Sequence, residues 1–225
     1  MQQNSNIIPL ELASANAFLI RDSKNILIDT GLPLQRQKLL TQLGHALDGT
    51  RLDVILLTHH DIDHVGNLYA VQKEFGGTAW IDADDLPYAS GAYHRLGTKH
   101  LLECILRPKP AKQLSAFPHA ADSPARSGPI DDIQIIKTPG HTPGHTIFQY
   151  GSAIFTGDLF KVNGSRIIPM RAAMNDDHRS LADSMERLLK LPGTFLYPSH
   201  GNALEYTPEV KSELRKVMKI YESRI

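Results

Sequence analysis

Internal disulfides are excluded, because the 225 residues include a single cysteine, Cys104. A lone cysteine reads as a small buried apolar residue, and such sparing usage suits a reducing compartment. Net charge is also missing: 24 Lys and Arg balance 24 Asp and Glu. That balance gives no general electrostatic footprint for nucleic acid. Long apolar runs are missing too, since none approaches the roughly 20 residues that cross a bilayer. The opening "MQQNSNIIPLELASANAFLI" has no basic segment ahead of a sustained apolar run, so it does not resemble a signal peptide. These absences predict a cytoplasmic protein with no nucleic-acid or membrane partner.

What is present is ordinary for a globular chain, with 41% hydrophobic and 21% charged residues. The length fits one domain over 1–225, with a possible lid or insertion around 83–128. The start reads as a hairpin: "AFLIR", a turn at Asp22 to Asn25, then "ILID". Pro33 suits the first turn of a helix burying Leu39, Leu40, Leu43 and Leu47. "LDVILLT" is too continuously apolar for a half-exposed strand and reads as covered on both faces. A helix from about His64 to Phe75 is expected, with Val65, Leu68, Gln72 and Phe75 on one side, stopped by Gly76 and Gly77.

Beyond the short strand "TAWID", periodicity weakens over 83–128 apart from one helix around 97–106. Strands resume at "IQIIKT", "TIFQY" and "AIFTG", followed by a loop over 161–176. A helix near Asp177 to Lys190 carries Leu181, Met185, Leu188 and Leu189. After the strand "TFLYPSHG" comes a helix from Pro208 to about Ser223 with Val210, Leu214, Val217 and Tyr221. Consecutive strands at the start and in the middle favour sheets packed together and covered by helices over a purely alternating parallel sheet.

Candidate ligands cluster where strands end. After "VILLT" come His59, Asp61, Asp63 and His64; after "IQIIKT" comes "PGHTPGH" with His141 and His145; "GD" brings Asp158 and "SHG" brings His200. A buried strand fixes the backbone while the following loop exposes side chains, which makes strand ends good places for a site. Imidazole and carboxylate suit zinc, iron or manganese. Singly, a histidine at a strand end is more often a hydrogen-bonded surface residue, and "GD" is usually a turn. In this order and together, chance is a poor explanation.

The chain resembles the metallo-β-lactamase superfamily, whose pattern is H-x-H-x-D-H, a separate His, an Asp and a final His. Here these are "HHDIDH", His141 in "TPGHTPGH", Asp158 in "FTGDLF" and His200 in "YPSHG", with an early "IDTG" around Asp29. The resemblance implies an α+β, four-layer αββα sandwich and two divalent metal ions, zinc foremost, with iron or manganese as alternatives. It implies that His59, Asp61 and His141 hold one ion, that Asp63, His64 and His200 hold the other, and that Asp158 bridges. His145 and Asp29 become supporting residues behind the ligands. His60 is expected to point the other way along the chain, with no role.

Asp61 departs from the family, which usually has histidine there. With two divalent ions and a bridging hydroxide, two aspartates leave the site with one positive charge; a third makes it neutral. The added charge is expected to make bound water a weaker acid and to favour harder ions. The activity implied is a metal-dependent hydrolase: a metal-bound hydroxide cleaves an ester, lactone, thioester or amide of a small molecule, and Asp63 shuttles the proton. The alternative is a non-haem iron oxidoreductase of the same fold, flavodiiron-like or persulfide dioxygenase-like. Tyr88, Tyr93, His94 and Arg95 are candidates for the pocket wall, and Arg166 or Arg171 for a substrate carboxylate. A glyoxalase II-like branch carries an added helical C-terminal region, whereas one helix follows His200 here.

Overall fold

A computed structural model of the chain describes residues 5–93, 106, 111–117, 132–164 and 166–225. The chain divides into two compact units, residues 1–117 and 118–225. In the first, β1 (Ile7–Leu10), β2 (Ala17–Arg21), β3 (Asn25–Ile28), β4 (Leu52–Leu56), β5 (Gly76–Ile81) and β6 (Leu114–Ala116) form one sheet in sequence order. β1 to β3 form an antiparallel meander, and β3 to β6 pair in parallel. Parallel neighbours need a crossover. Helix α1 (Arg36–Leu47) supplies it between β3 and β4; α2 (Ile62–Val65) and α3 (Leu68–Phe75) supply it between β4 and β5.

Leu39, Leu43 and Leu47 of α1 are buried in one cluster with Leu19, Leu27, Ile55, Leu68 and Val71. Leu40, expected beside them, lies at the cluster's margin. β4 is buried apart from Asp53, whose carboxylate accepts the Asn25 N–H at 2.8 Å. The helix expected from His64 to Phe75 is broken at Gly66 and Asn67. A Cβ on Gly66 would stand 2.3 Å from Pro33 Cδ. The Asn67 amide instead donates to the carbonyls of Thr30 and Leu32, at 2.8 and 2.9 Å. These long-range contacts overrode the local periodicity.

Gly76 and Gly77 do end the helix, but both already belong to β5. Gln72, on the buried side of α3, donates to the carbonyls of Gly77 and Gln113 and accepts the N–H groups of Lys112 and Gln113. One amide thus ties the start of β5 to the residues just ahead of β6. Helix α4 (Leu86–Ala89) follows β5. The helix expected around 97–106, except Leu106, and the residues Cys104, His94 and Arg95 lie outside the described residues.

In the second unit, β7 (Ile133–Lys137), β8 (Thr146–Tyr150), β9 (Ala153–Gly157), β12 (Phe195–Pro198) and β13 (Leu204–Glu205) form a sheet ordered β13-β12-β9-β8-β7. β9 and β12 pair in parallel, and the other pairs are antiparallel. Helices α5 (His178–Lys190) and α6 (Pro208–Glu222) bury Leu181, Met185, Leu188, Leu214, Val217 and Tyr221 in one cluster with Ile147, Ile154 and Leu196. Asp177 caps α5, accepting the N–H groups of Arg179 and Ser180, and Thr207 caps α6 ahead of Pro208.

The loop expected over 161–176 contains structure of its own: a hairpin of β10 (Lys161–Asn163) and β11 (Arg166–Ile168), then a short 3-10 turn at Ala172–Met174. Gly164, directly after β10 and at a positive φ of 61°, is the turn signal that could have revealed it. Among the described residues, no helix is long and apolar enough to cross a membrane.

Candidate metal centre

The first unit gathers four candidate ligands just past β4. The strand's backbone is held to the end, with the Leu57 N–H on Trp80 O and the Asp29 N–H on Leu56 O, both at 2.9 Å. Asp29 adopts a positive φ of 58°, a conformation that aspartate tolerates better than most residues. Its buried carboxylate accepts three donors at 2.8 Å: the Thr58 N–H, the Thr58 hydroxyl and His64 Nδ1. Thr58 Oγ1 also lies 3.0 Å from His59 Nδ1. Because the Thr58 hydroxyl proton goes to Asp29, its oxygen accepts from His59.

Both imidazoles therefore carry their proton on Nδ1, which turns each Nε2 lone pair the other way. His59 Nε2 stands 3.7 Å from Asp61 Oδ2, and His64 Nε2 stands 3.8 Å from Asp63 Oδ1. The two rings lie side by side with centroids 3.9 Å apart. Asp63 is the most open of the four, with its side chain 24% exposed, and it takes a 3.2 Å hydrogen bond from the Ser14 hydroxyl.

His60 has partners that the sequence did not suggest. It is buried, and its backbone N–H donates to the fully buried Asp85 carboxylate at 3.0 Å. The same Asp85 oxygen lies 3.0 Å from His60 Nδ1, and Tyr88 stacks on the ring at 4.6 Å. His60 thus turns Nδ1 to Asp85 and Nε2 toward Asp61 Oδ1, 3.9 Å away, and anchors the loop that carries the candidate ligands. Tyr88 is accounted for by that stack, and Tyr93 makes an edge contact with Tyr88.

The second unit gathers His141, Asp158 and His200. Asp158 Oδ2 stands 3.5 Å from His141 Nε2 and 3.2 Å from His200 Nε2. His145 does not join this cluster through its Nε2, which accepts the Asp158 backbone N–H at 2.9 Å. Its Nδ1 faces the carbonyl and hydroxyl of Thr138, at 3.1 and 2.9 Å. His145 therefore fixes the backbone of Asp158. The turn before His141 needs glycine at 140: its φ is 129°, and a Cβ there would lie 2.3 Å from the Leu181 N. Below the cluster, the buried Tyr221 hydroxyl donates to Leu159 O at 2.9 Å, and burial holds its acidity far below that of a free phenol. Arg166 and Arg171 are exposed.

The donor chemistry suits a divalent cation. His59, His64 and His141 each have Nδ1 engaged by the protein and Nε2 turned toward a carboxylate, which leaves Nε2 as the nitrogen that can ligate a metal. A family model described as the metallo-beta-lactamase superfamily matches residues 10–200. The chain belongs to the metallo-β-lactamase superfamily. Its fold is the α+β fold of that superfamily, and it is a metallo-hydrolase.

Superfamily relatives are distant. The probable metallo-hydrolase YflN of Bacillus subtilis (strain 168) is 24% identical over 203 residues, 87% of this chain and 70% of its own. A hydroxyacylglutathione hydrolase of Xanthomonas axonopodis pv. citri (strain 306) is 26% identical over 181 residues, 80% of this chain. This chain spans only 57% of that enzyme's length. Among solved structures, TTHA1623 in a di-iron-bound form aligns with 88% of this chain and 93% of its own, at 25% identity and a TM-score of 0.65. The Rm3 metallo-beta-lactamase shares the fold at 20% identity and a TM-score of 0.69, covering 97% of this chain and 91% of its own.

Proposed function

We propose that the chain holds a dinuclear metal centre that hydrolyses a carbonyl ester, lactone, thioester or amide of a small molecule. His59, Asp61 and His141 would hold one ion, Asp63, His64 and His200 the other, and Asp158 would serve both. Bound divalent ions supply an acidified water as nucleophile and polarise the scissile carbonyl. The observation that carries this reading is the common orientation of the histidines, with Nδ1 engaged by Thr58, Asp29 or Asn175 and Nε2 turned to a carboxylate.

The protein's own groups do the rest. Asp29 and Thr58 hold the imidazoles in one tautomer. Asp63, half-buried and steadied by Ser14, is the carboxylate placed to carry a proton between water and leaving group. Zinc is the first expectation for the ions. Iron is the second, favoured by the anionic Asp61 and by the di-iron form of a relative of similar length. For the thioester, a relative named as a hydroxyacylglutathione hydrolase adds support.

The test is a panel of ester, lactone, thioester and amide substrates, assayed with the zinc- and iron-loaded protein. Turnover of at least one bond type is expected, abolished by chelation and by His59→Ala. Hydrolysis that survived both would contradict the reading, as would no turnover of any bond type with either metal.

A further inference from the structure

One side chain outside the ligand pattern holds His141 from behind. Asn175 Oδ1 lies 2.9 Å from His141 Nδ1. An amide oxygen only accepts, so the ring proton sits on Nδ1 and the Nε2 lone pair turns toward Asp158. With the amide turned the other way, Asn175 would donate to Nδ1. The ring proton would then sit on Nε2, and His141 could not ligate.

Asn175 sits on a strap that is fixed at both ends. The N–H groups of Asp176 and Asp177 both donate at 2.9 Å to the carbonyl of Gly140, the residue before His141. Asp177 then caps α5. At the strap's other end, the Met170 N–H donates to the Tyr221 hydroxyl at 2.8 Å, and Arg224 donates to Met170 O at 3.1 Å. The Tyr221 hydroxyl in turn donates a hydrogen bond to Leu159 O, the residue after Asp158. The segment from Met170 to Asp177 is therefore tied to the backbone beside two candidate ligands.

We propose that Asn175 is the positioning residue of His141: its amide oxygen sets the ligating tautomer, and the strap anchored on Tyr221 keeps that oxygen in place. The inference rests on the metal centre proposed above. Partners of this kind typically contribute 10–100-fold in metal affinity.

The test titrates Zn²⁺ into the metal-free protein against a chromophoric chelator, for wild type, Asn175→Ala, Asn175→Asp and His141→Ala, with the melting temperature of each metal-free form. Asn175→Ala is expected to weaken one zinc ion by about 10–100-fold. Its metal-free melting temperature should fall by no more than a few degrees, the size of one lost hydrogen bond. Asn175→Asp, which can only accept, should bind zinc at least as tightly as wild type.

If Asn175→Ala binds as wild type while His141→Ala loses an ion, the proposal is overturned and the centre stands. Asn175→Asp as weak as Asn175→Ala would also overturn it, because shape rather than an acceptor would then be what matters. If His141→Ala keeps both ions at full affinity, the centre falls and the proposal falls with it.

Discussion

Asp61 changes what its neighbours face. Its Oδ2 stands beside His59 Nε2 at 3.7 Å, while Oδ1 stands 3.9 Å from His60 Nε2. Replacing it by histidine removes one negative charge from the centre, so Asp61→His should lower the pH at which activity rises. An unchanged pH–rate profile and metal preference would show that Asp61 is not a ligand. Asp29 offers a cleaner test, because asparagine also tolerates a positive φ. Asp29→Asn keeps the shape but weakens the acceptor for His64 and Thr58. It should cost about 10–100-fold in zinc affinity, read by chelator competition.

The candidate ligands were legible in the sequence because His and Asp were packed into motifs at strand ends. Asn175 was not: a single asparagine, 34 positions from His141, gives no periodic or motif signal. The buried pairing of His60 with Asp85 was equally silent, since it depends on β5 and α4 folding back over the loop.

Capping and close approach govern the elements around these residues. Asp177 holds the start of α5, and the Ser180 hydroxyl donates to it at 2.6 Å. That hydrogen bond, ahead of those from the backbone, pulls its carboxyl below the ordinary aspartate range. A depressed folded-state pKa means stability that is present above the ordinary pKa and lost as pH falls through the folded one. Asp177→Ala should therefore cost about 1 kcal/mol near neutral pH. The gap to wild type should close in acid, as followed by urea melts across the pH range. Gly140→Ala should cost more, about 2–4 kcal/mol, from overpacking against Leu181 together with strain at φ 129°.

Strands with long apolar runs, such as β4, β8 and β9, were legible because burial on both faces writes itself into composition. The break between α2 and α3 was hidden, because Pro33 and Thr30 impose it from another part of the chain. The β10–β11 hairpin was short enough for its turn signal to pass as loop.

At the scale of the whole molecule, the motif order pointed to the superfamily, and the match over residues 10–200 agrees with it. Each unit buries its own apolar cluster and brings its own share of His and Asp. A bound ion that favours the folded chain adds about 2.7 kcal/mol per site when free metal is 100-fold above its dissociation constant. Chelation should therefore lower the melting temperature by several degrees, and added zinc should restore it. No change on chelation would mean that the folded chain holds no tightly bound ion.

The most direct measurement is the metal content of the purified protein by elemental mass spectrometry, for wild type beside Asp61→Ala. The proposed centre predicts about two ions per wild-type chain and about one in the variant. One ion per wild-type chain, or the same count in both proteins, would contradict a dinuclear centre in which Asp61 is a ligand.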